Sequence, residues 1–219
     1  MDRYLLTFAL YRSGEWTLFP GGFCMSVLFA WVVAASSLLA PARQHDALAS
    51  AIANQVEAEA PLFKNDEDRH RTAALLVAIA FRESSLRATA VGDHVGGKPT
   101  SFCAFQVHLP WGAKTEDGWT GPDLVEDPEK CVAAAMRMLR VSLQVCPSFP
   151  IASYAAGPGG CESPRAQRIS RDRMAIAQRL LRDVQVHSDK PPQSTLLLEP
   201  PIVAIDPTLP RPRQFCGGA

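Results

Sequence analysis

Residues 71–84 read RTAALLVAIAFRES. Neither proline nor glycine interrupts the run, and apolar side chains cover almost its whole circumference when it is wound as a helix. A helix apolar on every side needs partners on every side, so this stretch is predicted to be the buried central helix of its domain. Upstream, NDEDRH at 65–70 supplies a polar start, with Asn65 or Asp66 as the predicted cap. Further back, Leu48, Ile52, Val56 and Ala60 recur four apart. That is one helical stripe, and Pro61 ends it.

Downstream the character changes. Residues 92–121 hold several Gly and Pro residues and little helical periodicity, which predicts loops or a short hairpin. Helix signals return at Asp127–Pro128, a cap followed by a first-turn proline, with Val132, Ala135, Met136 and Leu139 at helical spacing. Ile151–Ala156 reads as a short helix stopped by GPGG, and residues 170–186 as a last amphipathic one. The fold class expected is therefore all-α, with little or no β structure.

The flanks differ from this body. Residues 23–40 read FCMSVLFAWVVAASSLLA, an uncharged run whose length lies between a signal-peptide core and a short membrane span. Arg3 and Arg12 precede it, and the alternative is a buried core helix. Seven of the 18 prolines fall between Lys190 and Arg213, a density that opposes helix and sheet. The expected organisation is residues 1–43 as signal peptide or membrane anchor, 44–187 as the domain, and 188–219 as a proline-rich flexible tail.

At 219 residues the chain can bury one core. Lys plus Arg and Asp plus Glu both total 22, so no electrostatic footprint for nucleic acid exists. Of six cysteines, Cys103, Cys131, Cys146 and Cys161 fall in the domain, and none forms a CxxC pair. Export would make disulfides the natural reading, with three pairings open.

Four blocks occur in order: RESSLRATAV (82–91), SFCAFQV (101–107), DPEKCV (127–132) and ASYAAGPGG (152–160). Together they resemble the lytic transglycosylase and goose-type lysozyme family. The first is similar to its catalytic Glu-Ser block, the second to its Phe-Gln cleft motif, and the fourth to its Tyr-Asn-Ala-Gly-Pro-Gly block. The sequence departs from that pattern at Ala155, where the family has Asn, and at Cys131, where Asn is expected.

The resemblance implies a lysozyme-like domain that cleaves peptidoglycan glycan strands without metal or organic cofactor. Glu83 would be the single acid/base, with Ser84, Phe105, Gln106 and Tyr154 binding substrate. The product would be a 1,6-anhydromuramyl end. The chain would work in the periplasm or cell envelope, opening the wall for an envelope-spanning machine or a phage. Elementary chemistry agrees about Glu83. A glycosidic oxygen leaves poorly unless protonated, and burial at the negative end of a helix disfavours the carboxylate form. Arg82 and Arg87 would act the other way if they approached it. Two alternatives stand beside this reading: a non-catalytic peptidoglycan-binding protein on the same fold, and a hydrolase pairing Glu83 with Asp93. Asp93 itself is read as a turn residue before HVGG.

Overall fold

A computed structural model describes residues 26–63 and 68–189. The expected cap at Asn65 or Asp66, the residues before Ser26 and the proline-rich stretch after Asp189 lie outside the described residues.

The described chain is mainly helical. Its elements run α1 (Val27–Leu39), α2 (Asp46–Ala58), α3 (Asp68–Ser84), β1 (Val91–Val95), β2 (Lys98–Phe102), β3 (Val107–His108), α4 (Gly121–Glu126), α5 (Pro128–Val145), α6 (Ala152–Ala156), a 3₁₀ turn (Pro158–Glu162) and α7 (Pro164–Asp189).

As its composition predicts, α3 is the centre. Every residue from Ala73 to Ala80 is at most 1% exposed. Against it pack α1, α2 and α7, and α5 closes the core over α2. Asp127 caps α5 by accepting hydrogen bonds from the Glu129 and Lys130 amides, and Pro128 occupies the first turn. The short helix α4 carries a capping box, in which Thr120 and Asp123 satisfy each other's backbone amides.

The little β structure present is one small sheet, around the hairpin expected in the glycine-rich stretch. A three-stranded antiparallel sheet in the order β1-β2-β3 fills part of residues 91–108. Val91 pairs with Phe102 and Val95 with Lys98. Between them Gly96 and Gly97 both take positive φ (59° and 76°), the conformation a tight hairpin turn demands and glycine supplies. Asp93 is accordingly a strand residue of β1; the turn lies three residues on.

The N-terminal run is described from Ser26 onward. Its described part forms α1, whose Leu28, Trp31, Val32 and Ala35 belong to the same core as α3. Trp31 meets His70 edge-on, with ring centroids 5.5 Å apart. In this structure the compact body takes in α1 and runs to Asp189. No helix among the described residues is long and apolar enough to cross a membrane.

Two disulfides join Cys103 to Cys131 and Cys146 to Cys161. The first ties the segment after β2 to α5. The second ties the end of α5 to the 3₁₀ turn.

Candidate active site

Glu83 sits in the last turn of α3, and the chain leaves that helix abruptly. The Ser85 amide donates to the Phe81 carbonyl and the Leu86 amide to the Ala80 carbonyl. Ser85 and Leu86 reach these bonds with φ of 55° and 62°. Such angles are costly for residues with a Cβ. All five positive-φ non-glycine residues of the described chain, Ser85, Leu86, Asp93, Cys103 and Gln106, fall in this one segment. Backbone strain concentrated so narrowly is typical of ligand-handling sites.

The carboxylate of Glu83 meets a cation from α7, the helix packed against α3. Arg173 of α7 places a terminal guanidinium nitrogen 2.5 Å from Glu83 Oε1. The Arg173 side chain is only 9% exposed and that of Glu83 21%. Arg173 also donates to the Ile169 carbonyl, while its buried Nε has no partner. The two arginines that the sequence places nearest face elsewhere. Arg82 makes a two-pronged link to Asp172, and Arg87 Nε donates to the Ser84 carbonyl.

Tyr154, from the fourth block, completes the cluster. Its hydroxyl donates to the Phe105 carbonyl at 2.5 Å, joining the fourth block to the second. Burial, then the nearby Glu83 charge, pushes the phenol well above its ordinary value of 10.0, with Arg173 opposing. The phenol is therefore neutral and a hydrogen-bond donor at any ordinary pH.

The other predicted substrate contacts are engaged within the chain in this structure. Phe105 is fully enclosed, so its ring is core and only its carbonyl reaches the site. Ser84 is 4% exposed, and its Oγ is used within the chain, donating to the Ala80 carbonyl and accepting from the Arg87 amide. Gln106 is half-buried, and its side-chain amide donates to the Cys103 carbonyl. Its Oε1 packs so closely on β1 that a Cβ at Gly92 would stand 2.1 Å away. Gln106 therefore braces the loop against β1, and a side chain at residue 92 would displace its amide. Asp93 is exposed, with its carboxylate accepting from Ser101 Oγ at 2.7 Å.

A groove of about 430 Å³ opens beside Tyr154, lined among others by Leu109, Lys114, Met138 and Val141. Glu83 is not part of its wall, so the groove abuts the cluster through the tyrosine. Near the sheet Trp111 is 61% exposed, with the Lys98 ammonium 4.7 Å from its ring centre. Phe102 is buried and Trp119 half-buried. Among the described residues no group of three or more His, Cys, Asp or Glu side chains is placed to hold a metal.

Arg173 is the residue that sequence reasoning missed. The only trace it leaves is the reversed order of charges, Arg-Glu at 82–83 against Asp-Arg at 172–173. Comparison of the chain with protein-family models, with curated proteins and with solved structures found no match.

Proposed function

We propose that this chain is an exported peptidoglycan-cleaving enzyme, a lytic transglycosylase on a lysozyme-like helical domain, with Glu83 as acid/base. The observation that carries the proposal is the hydrogen bond joining the fourth block to the second, at a tyrosine close enough to feel the Glu83 charge. Glu83 comes from the first block, the Phe105 carbonyl from the second and the Tyr154 hydroxyl from the fourth. The two disulfides support an oxidising compartment such as the periplasm or cell envelope.

In the proposed reaction Glu83, protonated, gives its proton to the oxygen linking N-acetylmuramic acid to N-acetylglucosamine. As the carboxylate it then takes the proton of the muramyl 6-hydroxyl, whose oxygen attacks C1. The bond to the leaving sugar breaks, a 1,6-anhydro ring forms, and no water is consumed. Arg173 occupies Glu83 in the resting structure, so proton delivery requires the carboxylate to leave the ion pair first. The same guanidinium suits the anionic carboxylate that follows.

That ion pair also favours a second reading. A carboxylate committed to a buried arginine is a structural clasp, and the fold would then bind glycan without cutting it.

Mass spectrometry of soluble fragments released from purified sacculi by the disulfide-bonded chain decides between them. A Glu83→Gln control is run alongside, and circular dichroism verifies that it is folded. Anhydromuramyl products that vanish in the control are expected. Reducing-end products would replace the transglycosylase by a hydrolase and make Asp93 the next residue to test. Folded protein that binds sacculi and releases nothing would leave the binding reading.

A further inference from the structure

The outward side of α7 carries a row of like charges. Arg165, Arg168, Arg171, Arg179 and Arg182 are all exposed. At ~100° and ~1.5 Å per residue they fall within about a third of the helix circumference and span about 26 Å. The opposite side of α7 holds the core residues Ala166, Ala177, Leu180 and Val184, and the arginine paired with Glu83. Among the described residues only Arg179 of the five has a carboxylate in reach, Asp183 at 3.6 Å, and that pair is itself exposed. Asp172 is taken by Arg82, and Arg171 lies over the Phe149 ring at 5.5 Å.

Folding does not ask for this row. Like charges three residues apart, as in Arg165–Arg168–Arg171 and Arg179–Arg182, repel one another and oppose the helix. Arg165 also sets a cation at the positive end of the helix, in a first turn that has no acid. A helix facing water is ordinarily laced with opposite charges at such spacings. Acids are not lacking in the chain: six lie between Glu116 and Glu129, on or beside α4 and the start of α5. The net charge of zero therefore conceals a segregation of sign.

The chemistry of the row narrows its partner. No lysine lies in α7, and a guanidinium fork matches two oxygens of one phosphate. Between the arginines the exposed residues are Ala175 and Gln178. The row thus has no exposed aromatic ring for a nucleic-acid base to stack on, and no large apolar side chain to enter a hydrocarbon layer. A straight row confined to one arc of a rod meets a plane along its whole length. The two disulfides favour a compartment outside the cytosol, where phospholipid is the abundant phosphate surface.

We propose that the outward face of α7 docks on an anionic phospholipid surface, its arginines holding lipid phosphates without insertion of the helix. The attraction is electrostatic and accumulates with each arginine that reaches the surface. The proposal does not depend on glycan cleavage; only the choice of lipid over nucleic acid rests on the exported placement proposed above. Arg173 leaves the inner side of the same helix, so docking would fix how Glu83 is oriented towards the membrane.

The test is sedimentation of the full disulfide-bonded chain with vesicles of phosphatidylcholine, alone or mixed equally with phosphatidylglycerol. Binding should favour the anionic vesicles at about 0.1 M salt and collapse towards about 1 M, as the screening length falls from about 10 Å to about 3 Å. Arg168→Gln or Arg182→Gln should each weaken it about fivefold, and both combined with Arg165→Gln about a hundredfold. Relief of repulsion should leave the thermal melts of these variants unchanged or raised, which separates lost binding from lost folding. Lys114→Gln, which removes an exposed cation beside the acid-rich stretch, should change binding little. Equal binding to the two kinds of vesicle, or a loss from Lys114→Gln matching that from Arg168→Gln, would overturn the proposal. So would tighter binding of duplex DNA or polyglutamate than of the anionic vesicles at the same salt, which would make the partner a nucleic acid or an acidic protein.

Discussion

Arg82 and Glu83 are neighbours on α3, Asp172 and Arg173 are neighbours on α7, and each residue finds its opposite charge on the other helix. The closest approaches are alike, 2.6 Å for Arg82–Asp172 and 2.5 Å for Glu83–Arg173. Their surroundings are not. The first pair keeps 46% and 42% of its side-chain surface in water, the second 9% and 21%. Water screens the first, which is worth at most ~1 kcal/mol despite its two-pronged geometry. The second is held where losing one member strands the other, so its integrity matters far more than its net contribution. Burial, not distance, separates a surface link from a site.

The largest expected effect tests that difference directly. Glu83→Gln or Arg173→Met should lower unfolding free energy by ~3–5 kcal/mol, read from urea denaturation. A loss no larger than that at Arg82 would erase the distinction. Combining Glu83→Leu with Arg173→Met should recover much of the stability, and a double-mutant cycle would sharpen the comparison by isolating the coupling.

Tyr154→Phe comes next. It leaves the Phe105 carbonyl without its donor, at a cost of ~1–3 kcal/mol in the same denaturation experiment. The phenol also has a signed pH signature. Its folded value is raised, so the unfolded chain loses this proton first, and stability falls as pH rises above the ordinary 10.0. Tyr154→Phe should flatten that alkaline decline; an unchanged decline would remove Tyr154 from the buried cluster.

The smallest effect belongs to the exposed pair. Arg82→Gln or Asp172→Asn should cost under ~1 kcal/mol and less still at high salt. A larger, salt-insensitive loss would mean that this pair too is out of water.

His70 supplies a separate test of how α1 is held. Burial lowers its value below the ordinary 6.5, so the unfolded chain takes up a proton that the folded chain refuses. Stability should therefore fall as pH drops through 6.5, and His70→Phe should remove that acid-side decline in thermal melts.

Much of the helical scaffold was legible because its signals are local. The run at 71–84 declares its burial by having no polar face, and Asp127–Pro128 declares a helix start by its own chemistry. Elements whose signals are short or shared were read less well. Helix α4 spans six residues, too few to show a period. Helix α7 begins at Pro164, before the expected 170, because its first turns are rich in arginine and carry little apolar stripe. The N-terminal run was the hardest case. An uncharged apolar helix looks the same whether its partners are lipid or protein, and only contacts such as Trp31 with His70 distinguish them.

At the site, Glu83 and Tyr154 could be named as residue types in ordered blocks, and the structure brings them together. The burial of Ser84 and Phe105 could not be read beforehand, since burial is not written in a dipeptide. Arg173 was invisible because its role depends on how α7 lies on α3, ninety residues away in the chain.

Helix α1 has a consequence for how the protein is made. A peptidase cutting at Ala40 or Ala42, where an export leader would end, would carry off Leu28, Trp31, Val32 and Ala35. The remainder would show water the faces of α2 and α3 that these side chains cover. Maturation at that point would therefore remove one wall of the core described here. For the same reason, a recombinant version trimmed to residue 44 would lack part of its own interior.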